Sequence, residues 1–249
     1  MTENDKLNKT VLHVFKILNV IANSNESIGI SDLAHSTNLP KTTVFRLLNT
    51  LEYVGAVDKD THQQYAIGPQ LIAFSKNVEK QNSLIQIATP YMERFAKETK
   101  ENINLSILYN NQVLYLHAEQ GEKFSLQVNL LPVAPLYCSS SGKIFLSDFS
   151  NEQLTVYFEK TQLQKRTVNT IVDIKELKQE IREIGIKHIA YDNEEYEYGL
   201  SCIAVPIYQN NKLIASASVS GPTSRLKVRG LEKIRNSIID FGQLLTSLL

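Results

Sequence analysis

The chain has 249 residues, of which 43% are hydrophobic and 21% charged, and its 26 basic residues are balanced by 26 acidic ones. This composition is typical of a globular protein with one large or two ordinary domains. Zero net charge gives no general attraction to nucleic acid, so any DNA-binding surface has to be a local patch.

The sequence carries no targeting or membrane signal. No apolar run approaches the roughly 20 residues that span a bilayer, and the polar start MTENDKLNKT is unlike a signal peptide. Two cysteines in a chain of this length do not make a disulfide framework. We therefore expect a cytoplasmic protein with reduced thiols and no membrane partner.

Three helical patterns occupy the first 55 residues. The first covers residues 10–22, and its predicted apolar face consists of Val11, Val14, Phe15, Leu18, Ile21 and Ala22. Ser31 is expected to cap a short second helix that buries Leu33 and Ala34. Pro40 suits the first turn of a third helix, which is expected to end at Gly55. The residues that this third helix should bury are Val44, Leu47, Leu48, Leu51 and Val54.

A predicted hairpin follows, with two short strands around a polar turn between residues 56 and 68. Helix, short helix, turn, longer helix and hairpin is the order of a winged helix-turn-helix. The second helix of that motif lies in the major groove of DNA.

The exposed face of the third helix is predicted to read DNA. It carries Lys41, Thr42, Thr43, Phe45, Arg46 and Asn49, and the wing adds Lys59. Arginine suits guanine and asparagine suits adenine, and no acidic residue lies between Leu33 and Leu51. The alternative is an ordinary three-helix core with a solvated polar face, which the equal numbers of acids and bases in residues 1–80 favour. The acid-free helix and the wing lead us to prefer DNA binding.

Residues 70–100 have a helical pattern that Pro90 is expected to kink or divide. The apolar stripe of its later part consists of Leu84, Ile87, Ala88, Tyr91, Met92 and Phe95.

Beyond residue 102 the pattern changes to strands, turns and helices. A hairpin is predicted at Asn110-Asn111, and a further strand at residues 125–131. Three more strands are predicted at residues 186–192, 200–208 and 212–221, the last two joined at Asn210-Asn211. Ser150 and Asp173 are expected to cap two helices, the second ending at Gly185. A last helix should bury Leu231, Ile234, Ile238, Phe241, Leu245 and Leu248. The prediction is an α+β unit with a mainly antiparallel sheet.

The segment LYCSSSGKIFLS, residues 136–147, permits three interpretations. A phosphate-binding P-loop is excluded, because Tyr137 occupies the position of its first glycine and Ile144 that of its hydroxyl residue. A nucleophile at Cys138 would need His117 or His188 nearby, and nothing in the sequence places them together. A metal site of both cysteines and a histidine lacks the spacing of structural zinc sites. We predict no catalytic residue, no metal and no cofactor.

The third interpretation is a polar binding site at the start of a helix. Ser139, Ser140, Ser141 and Gly142 would lie where unpaired N–H groups and the helix dipole favour an anion. In the strand LIASASVSG, Ser216, Ser218 and Ser220 alternate onto one face. These groups together suit a small carboxylate or keto acid.

Four segments of the chain resemble the IclR family of bacterial transcriptional regulators. They are ISDLAHSTNLPKTTVFRLLNTLEYVGAV, YAIGPQLIAF, APLYCSSSGKIFLS and AYDNEEYEYGLSCIAVPIYQNNKLIASASVSGPTSRL. The resemblance implies a winged helix-turn-helix at residues 1–69, a linker helix region at 70–100 and a GAF/PAS-like effector domain at 101–249. It also implies a ligand-responsive regulator of operator DNA, which we expect to be a repressor, acting as a homodimer or dimer of dimers.

The positions that form the effector pocket in the family match eight residues of this chain. They are Leu126, Ala134, Ser140, Ser141, Asp192, Cys202, Ser218 and Ser220. The Ser-Ser-Ser loop departs from the usual Thr/Ala-Gly-Lys form, so the identity of the effector does not transfer. Lys143 is expected to point into solvent or pair with an acid, and Glu194, Glu195 and Glu197 to form a solvated face. The rival hypotheses are a GAF-like enzyme using Cys138 or Cys202, and a sensor domain that binds only protein partners.

Overall fold

The computed structural model describes residues 7–24, 26–81, 83–121 and 133–249. The chain divides into two compact units, residues 1–82 and residues 83–249. The predicted strand at 125–131, and Leu126 within it, lie outside the described residues. None of the described helices is long and apolar enough to cross a membrane.

The first unit is a winged helix-turn-helix, as predicted. Its elements are α1 (Lys9–Ala22), α2 (Ile30–Thr37), α3 (Lys41–Tyr53), β1 (Val57–Lys59), β2 (Tyr65–Ile67) and α4 (Gln70–Gln81). Strands β1 and β2 pair antiparallel. The core joins the three helices to the hairpin and includes Ile17, Leu33, Leu48, Val57 and Tyr65.

The end of α3 has the hydrogen bonds of a Schellman motif. Gly55 has a φ of 72°, its N–H donates to the carbonyl of Glu52 at 3.0 Å, and the N–H of Ala56 donates to the carbonyl of Leu51 at 2.8 Å. A left-handed residue is needed at this position, and glycine adopts that conformation without a Cβ clash. The predicted end of the helix at Gly55 is therefore confirmed.

Three details of the first unit differ from the prediction. The buried face of α1 is centred on Ile17 and Ile21, while Val11 and Phe15 are 50% and 60% exposed. Apolar residues cover so much of this helix that periodicity alone does not identify the side that packs. Ser31 does not cap α2, which begins at Ile30 after Gly29. Val54 is 51% exposed, because it follows the last turn of α3.

The second unit contains six strands and six helices in its described residues. In chain order they are α5 (Ser83–Thr99), β3 (Asn102–Tyr109), β4 (Gln112–Glu119), β5 (Val133–Pro135), α6 (Ser140–Ser147), α7 (Asn151–Lys160), α8 (Ile174–Lys187), β6 (Ala190–Asn193), β7 (Leu200–Gln209), β8 (Lys212–Pro222), α9 (Thr223–Arg229) and α10 (Leu231–Ser247). The strands form one antiparallel sheet in the order β5-β4-β3-β8-β7-β6. The α+β class and the antiparallel sheet are confirmed.

The two sides of this sheet differ in chemistry. One side, here called the apolar face, packs against α5 and α10 through residues such as Leu105, Ile203, Val205, Ala217 and Val219. The other, here called the polar face, turns towards α6, behind which α7 and α8 pack.

Two predictions about helices of the second unit are corrected. Helix α5 continues through Pro90, so the proline does not divide the helical region there. Helix α8 passes Gly185 and ends at Lys187, because His188 takes the left-handed position with a φ of 52°.

The last predicted helix, residues 228–249, is interrupted at Gly230, which has a φ of 91° and separates the end of α9 from α10. Leu231 and Leu248 at the ends of α10 are each 42% exposed, whereas the four apolar residues predicted between them are buried.

Candidate nucleic-acid interface and effector site

Helix α3 buries Val44, Leu48 and Leu51 and turns its other side to solvent. The predicted reading residues on the exposed side are Lys41, Thr42, Phe45, Arg46 and Asn49, and Thr43 is half-buried. The helix therefore presents its amide, guanidinium and hydroxyl donors outward, as contact with base edges requires.

Thr43 and Arg46 lie on the flank of α3 nearest α1. With Thr10, Val14 and neighbouring residues of α3 they line a cavity of about 460 Å³. Tyr53, one turn after Asn49, is 91% exposed and was not predicted as a reading residue.

The wing is shaped by Asp60. Its Oδ1 accepts the backbone N–H groups of His62 and Gln64, each at 2.8 Å, and Gln63 adopts a φ of 61°. Lys59, at the end of β1, is half-buried with its Nζ 5.7 Å from the Tyr65 ring centroid. His62 and Gln63 are exposed at the tip of the wing.

The first turn of α6 supplies donors in the second unit. Ser139 is the N-cap, and its hydroxyl accepts from the N–H of Gly142 at 3.2 Å and donates to the carbonyl of Pro135 at 2.6 Å. The N–H groups of Ser140 and Ser141 bond to none of the other described residues. A Cβ on Gly142 would lie 2.4 Å from Cα of Leu136, so only glycine fits there. The sequence therefore yields a helix start with two available N–H donors.

The serines of β8 lie on the polar face, where α6 approaches. Ser216, Ser218 and Ser220 are all at most 4% exposed. The Oγ of Ser216 is 3.3 Å from the Oγ of Ser141, and the Oγ of Ser220 accepts from Nδ2 of Asn104 at 3.2 Å. The structure thus joins the serine loop and the serine strand, as the predicted pocket requires.

Asp192 and Cys202 extend this surface towards the edge of the sheet. Strand register aligns Asp192 with Cys202, and Cys202 with Ser220. Oδ1 of Asp192 accepts the backbone N–H groups of Glu195 and Tyr196 at 2.7 and 3.2 Å, so this carboxyl holds the start of the β6–β7 loop. Burial raises the pKa of Asp192 to about 7, against the two N–H donors that favour its charged form.

Tyr115 of β4 also belongs to the polar face and was missed by the sequence analysis. It pairs with Ser106, and its hydroxyl bonds to no other described residue. Burial raises the pKa of Tyr115, and the proximity of Cys202 and Asp192 raises it further. A bulge in β4 turns Tyr115 towards the polar face, and no local sequence pattern predicts that bulge.

The two thiols are not set up as nucleophiles. Burial raises the pKa of Cys138 to about 12 and that of Cys202 well above its ordinary value. His117 pairs with Leu105 on the apolar face, and His188 lies 3.3 Å from the hydroxyl of Tyr208. Both histidines are therefore separated from the thiols that they would have to activate. The described residues contain no group of three or more histidine, cysteine or acidic side chains suited to a metal ion.

Lys143 is fully buried and pairs with two acids. Its Nζ lies 2.8 Å from Oε1 of Glu180 and 2.6 Å from Oε1 of Glu195. Burial by itself would lower the pKa of Lys143, but Glu195 and Glu180 outweigh it, and the pKa is raised. The expectation of a solvated acidic face is therefore wrong for Glu195, which is 4% exposed, while Glu197 is exposed and Glu194 half-buried.

Ala134 is buried in β5, paired with Val113 next to the site.

A separate groove of about 590 Å³ runs along the β6–β7 edge on the apolar face, between Tyr191, Thr223 and Arg235. Of the predicted effector residues, it includes only Cys202.

Comparison with known proteins covers both units. The family model for the IclR C-terminal domain of bacterial transcriptional regulators matches residues 76–246, and that for the IclR helix-turn-helix domain matches residues 10–61. The acetate operon repressor of Salmonella typhimurium is 29% identical over 216 residues, which cover 85% of this chain and 79% of the relative.

Solved structures share the fold. The crystal structure of Thermotoga maritima IclR matches with 26% identity and a TM-score of 0.71, covering 97% of this chain and 98% of that one. An IclR homolog from Microbacterium hydrocarbonoxydans, solved in complex with 4-hydroxybenzoate, matches with 20% identity and a TM-score of 0.77, covering 96% and 98%. The chain is not an enzyme: it belongs to the IclR family of DNA-binding bacterial transcriptional regulators.

Proposed function

We propose that this protein is an effector-responsive repressor. It binds operator DNA through the exposed side of α3 and the wing, and a small organic acid on the polar face of the second unit. The observation that carries the effector half is the meeting of α6's two available N–H groups with the buried serines of β8. The name of the Salmonella relative, a repressor, supports the sign of regulation.

A carboxylate suits the first turn of α6. The N–H groups of Ser140 and Ser141 point out of the helix start, where the helix dipole adds a positive partial charge. The hydroxyl of Ser218, buried on the facing strand, adds another donor. An anion can accept from groups of this kind, whereas a cation would be repelled by them.

The far end of the surface suits a hydroxyl, keto or phenol group. Tyr115 keeps its proton because burial raises its pKa, and Asp192 is neutral through much of the acidic range. Both can therefore bond to a polar substituent without repelling the carboxylate of the same ligand. The Microbacterium homolog, which binds 4-hydroxybenzoate, is consistent with a ligand of this kind.

The effector regulates DNA binding if it shifts the equilibrium between two arrangements of the protein that space two copies of α3 differently. Operator half-sites lie about one helical turn, ~34 Å, or multiples apart, so two copies of α3 must be spaced to match. A homodimer or a dimer of dimers supplies those copies. An acid that binds one arrangement more tightly changes that spacing and with it the affinity for DNA.

The DNA half is tested with Arg46→Ala, titrated against the upstream region of the protein's own gene. A specific arginine–guanine contact contributes ~1–3 kcal/mol, so affinity should fall roughly tenfold or more. Arg94→Ala, at an exposed arginine of α5, is the matched control and should leave affinity unchanged. Unchanged affinity in Arg46→Ala would remove that residue from the interface, and a wild type that binds no DNA would sink the proposal.

The effector half is tested by calorimetry with pyruvate, lactate, 4-hydroxybenzoate and 4-hydroxybenzamide. The two aromatic probes differ in the charge of one group, so the acid should bind and its amide should bind at least about tenfold more weakly. Ser218→Ala combined with Ser220→Ala should weaken acid binding while DNA affinity without acid persists. A preference for cationic or wholly apolar ligands, or equal binding by the double variant, contradicts the proposed site.

A further inference from the structure

Glu101 lies at the corner between α5 and β3, and its side chain is fully buried. Nε of Arg225 donates to its two oxygens at 2.9 and 3.1 Å, and Nη2 of the same arginine donates at 2.6 Å. Nη1 of Arg229 donates to Oε1 at 2.7 Å. Both arginines belong to α9, so one carboxylate ties this helix to the corner through several charge-assisted bonds.

The same cluster also holds the end of α5. Nη1 of Arg229 donates to the carbonyls of Lys100 and Thr99 at 2.8 and 3.2 Å. These carbonyls belong to the last residue of α5 and the residue after it, where the intrahelical hydrogen bonds run out. A Cβ on Gly221 would lie 2.5 Å from Oε2 of Glu101, so glycine permits this close approach.

Strands β3 and β8 link the cluster to the effector site. Helix α9 follows β8 directly, and Ser220 stands two residues before the end of that strand. Asn102 pairs with Ser220 in the sheet, and Asn104 donates to its hydroxyl at 3.2 Å. The two strands that lead into the cluster therefore both carry groups of the polar face.

Helix α5 is, in chain order, the first element of the second unit. It begins at Ser83, and the first unit ends at residue 82. Any displacement of the end of α5 by α9 thus acts on the element of the second unit that follows the first unit in the chain.

We propose that the Glu101–Arg225–Arg229 cluster couples effector binding on β8 to α5 and so to the DNA-binding unit. Glu101 acts as a positioning residue and touches neither ligand. The inference rests on the proposed function, since it concerns how an effector signal leaves the polar face. A buried carboxylate held bidentately by guanidinium has one geometry, so a shift at the end of β8 moves α5 with it and is not absorbed at the corner.

The test measures coupling and not affinity alone. Operator affinity is determined with and without a saturating concentration of the acid that binds best among pyruvate, lactate and 4-hydroxybenzoate. Allosteric coupling commonly changes affinity about 5–150-fold, and we expect a wild-type ratio in that range. Glu101→Gln should bring the ratio close to 1 while the variant still binds operator and acid separately. The control is Glu183→Gln, at an exposed ion pair with Lys187, which should keep the wild-type ratio.

A second variant keeps the coupling role testable if the first does not fold. Arg229→Gln removes the bonds to the α5 carbonyls and leaves the Arg225–Glu101 pair, so its ratio should fall between those of wild type and Glu101→Gln. If Glu101→Gln does not fold, Arg229→Gln decides the matter. Wild-type ratios in the folded variants overturn the coupling role and leave the proposed function standing. A wild type whose operator affinity responds to none of the acids overturns the proposed function itself.

Discussion

Strand β8 has two sides that are equally buried and chemically opposite. Ala215, Ala217 and Val219 are fully buried against the helices of the apolar face, and Ser216, Ser218 and Ser220 are at most 4% exposed on the polar face. A buried hydroxyl opposes folding unless it is hydrogen-bonded, whereas a buried methyl group favours it. Burial alone therefore does not distinguish the scaffold from the site, and the chemistry of what is buried does.

The two faces are also stabilised differently. The apolar face relies on packing, as in the edge-to-face pair of Phe95 and Phe241, whose centroids are 5.8 Å apart. Beside the polar face, a hydrophobic cluster of α6, α7 and α8 is supplemented by hydrogen bonds and by the ion pairs of the buried Lys143 with Glu180 and Glu195. Substitutions on the two sides should consequently separate stability from ligand binding.

The largest expected effect is that of Lys143→Met. It leaves Glu195 buried without its cation, and breaking a buried ion pair commonly costs about 3–5 kcal/mol of unfolding free energy. Urea denaturation measures this loss. Lys187→Met at the exposed pair with Glu183 is the control and should change stability by less than about 1 kcal/mol. Equal losses in the two variants would mean that the buried pair contributes no more than a surface one.

Next in size is the contrast between neighbouring residues of β8. Val219→Ala creates a cavity on the apolar face and should lower stability by roughly 1–3 kcal/mol without changing acid affinity. Ser218→Ala should do the reverse, lowering acid affinity with a stability change below about 1 kcal/mol. Denaturation and calorimetry on both variants decide the matter. If both variants lost stability, or both lost acid affinity, the two faces would not differ in role.

A smaller effect is expected from pH, through Asp192. Its pKa is raised from 3.8 to about 7, so the carboxyl is neutral below that pH and charged above it. An acid ligand should bind most tightly below pH 7 and lose up to about tenfold in affinity for each unit above it, since the bound state then requires a proton. Asp192→Asn keeps the oxygen that accepts from Glu195 and Tyr196 and should abolish this dependence. The same slope in the variant would assign the titration to another group.

The same shift predicts a stability trend of defined sign. A carboxyl whose folded pKa is raised binds its proton more tightly in the folded state. Its contribution to stability is therefore full below the unfolded value and is lost as pH rises from about 4 to 7. Asp192→Asn should flatten that part of the stability profile.

The smallest effect is that of Tyr115→Phe, which removes one donor from the polar face and keeps the ring. A single neutral hydrogen bond contributes about 0.5–1.5 kcal/mol, so affinity for hydroxylated acids should fall by up to about tenfold. Calorimetry with 4-hydroxybenzoate and benzoate tests this, since the second probe lacks the hydroxyl and should be indifferent to the substitution. Equal losses for both probes would place Tyr115 elsewhere than at the hydroxyl.

The sequence by itself determined the features that depend on near neighbours. The helix order of the first unit, the Asn110-Asn111 and Asn210-Asn211 hairpins, and the caps at Ser150 and Asp173 were all predicted correctly. Each rests on a backbone preference or a hydrogen bond within a few residues. The alternation of β8 likewise separated its serines from its alanines, because side chains of a strand change sides at every residue.

The tertiary structure decided whatever depends on distant partners. Glu195 looked like a solvated acid because its cation, Lys143, lies 52 residues earlier in the chain. Tyr115 reaches the polar face through a bulge in β4. The packed side of α1 was chosen by α2, α3 and the wing from among several apolar sides. Composition and periodicity show which groups a segment can bury, but the elements packed against that segment determine which groups it does bury.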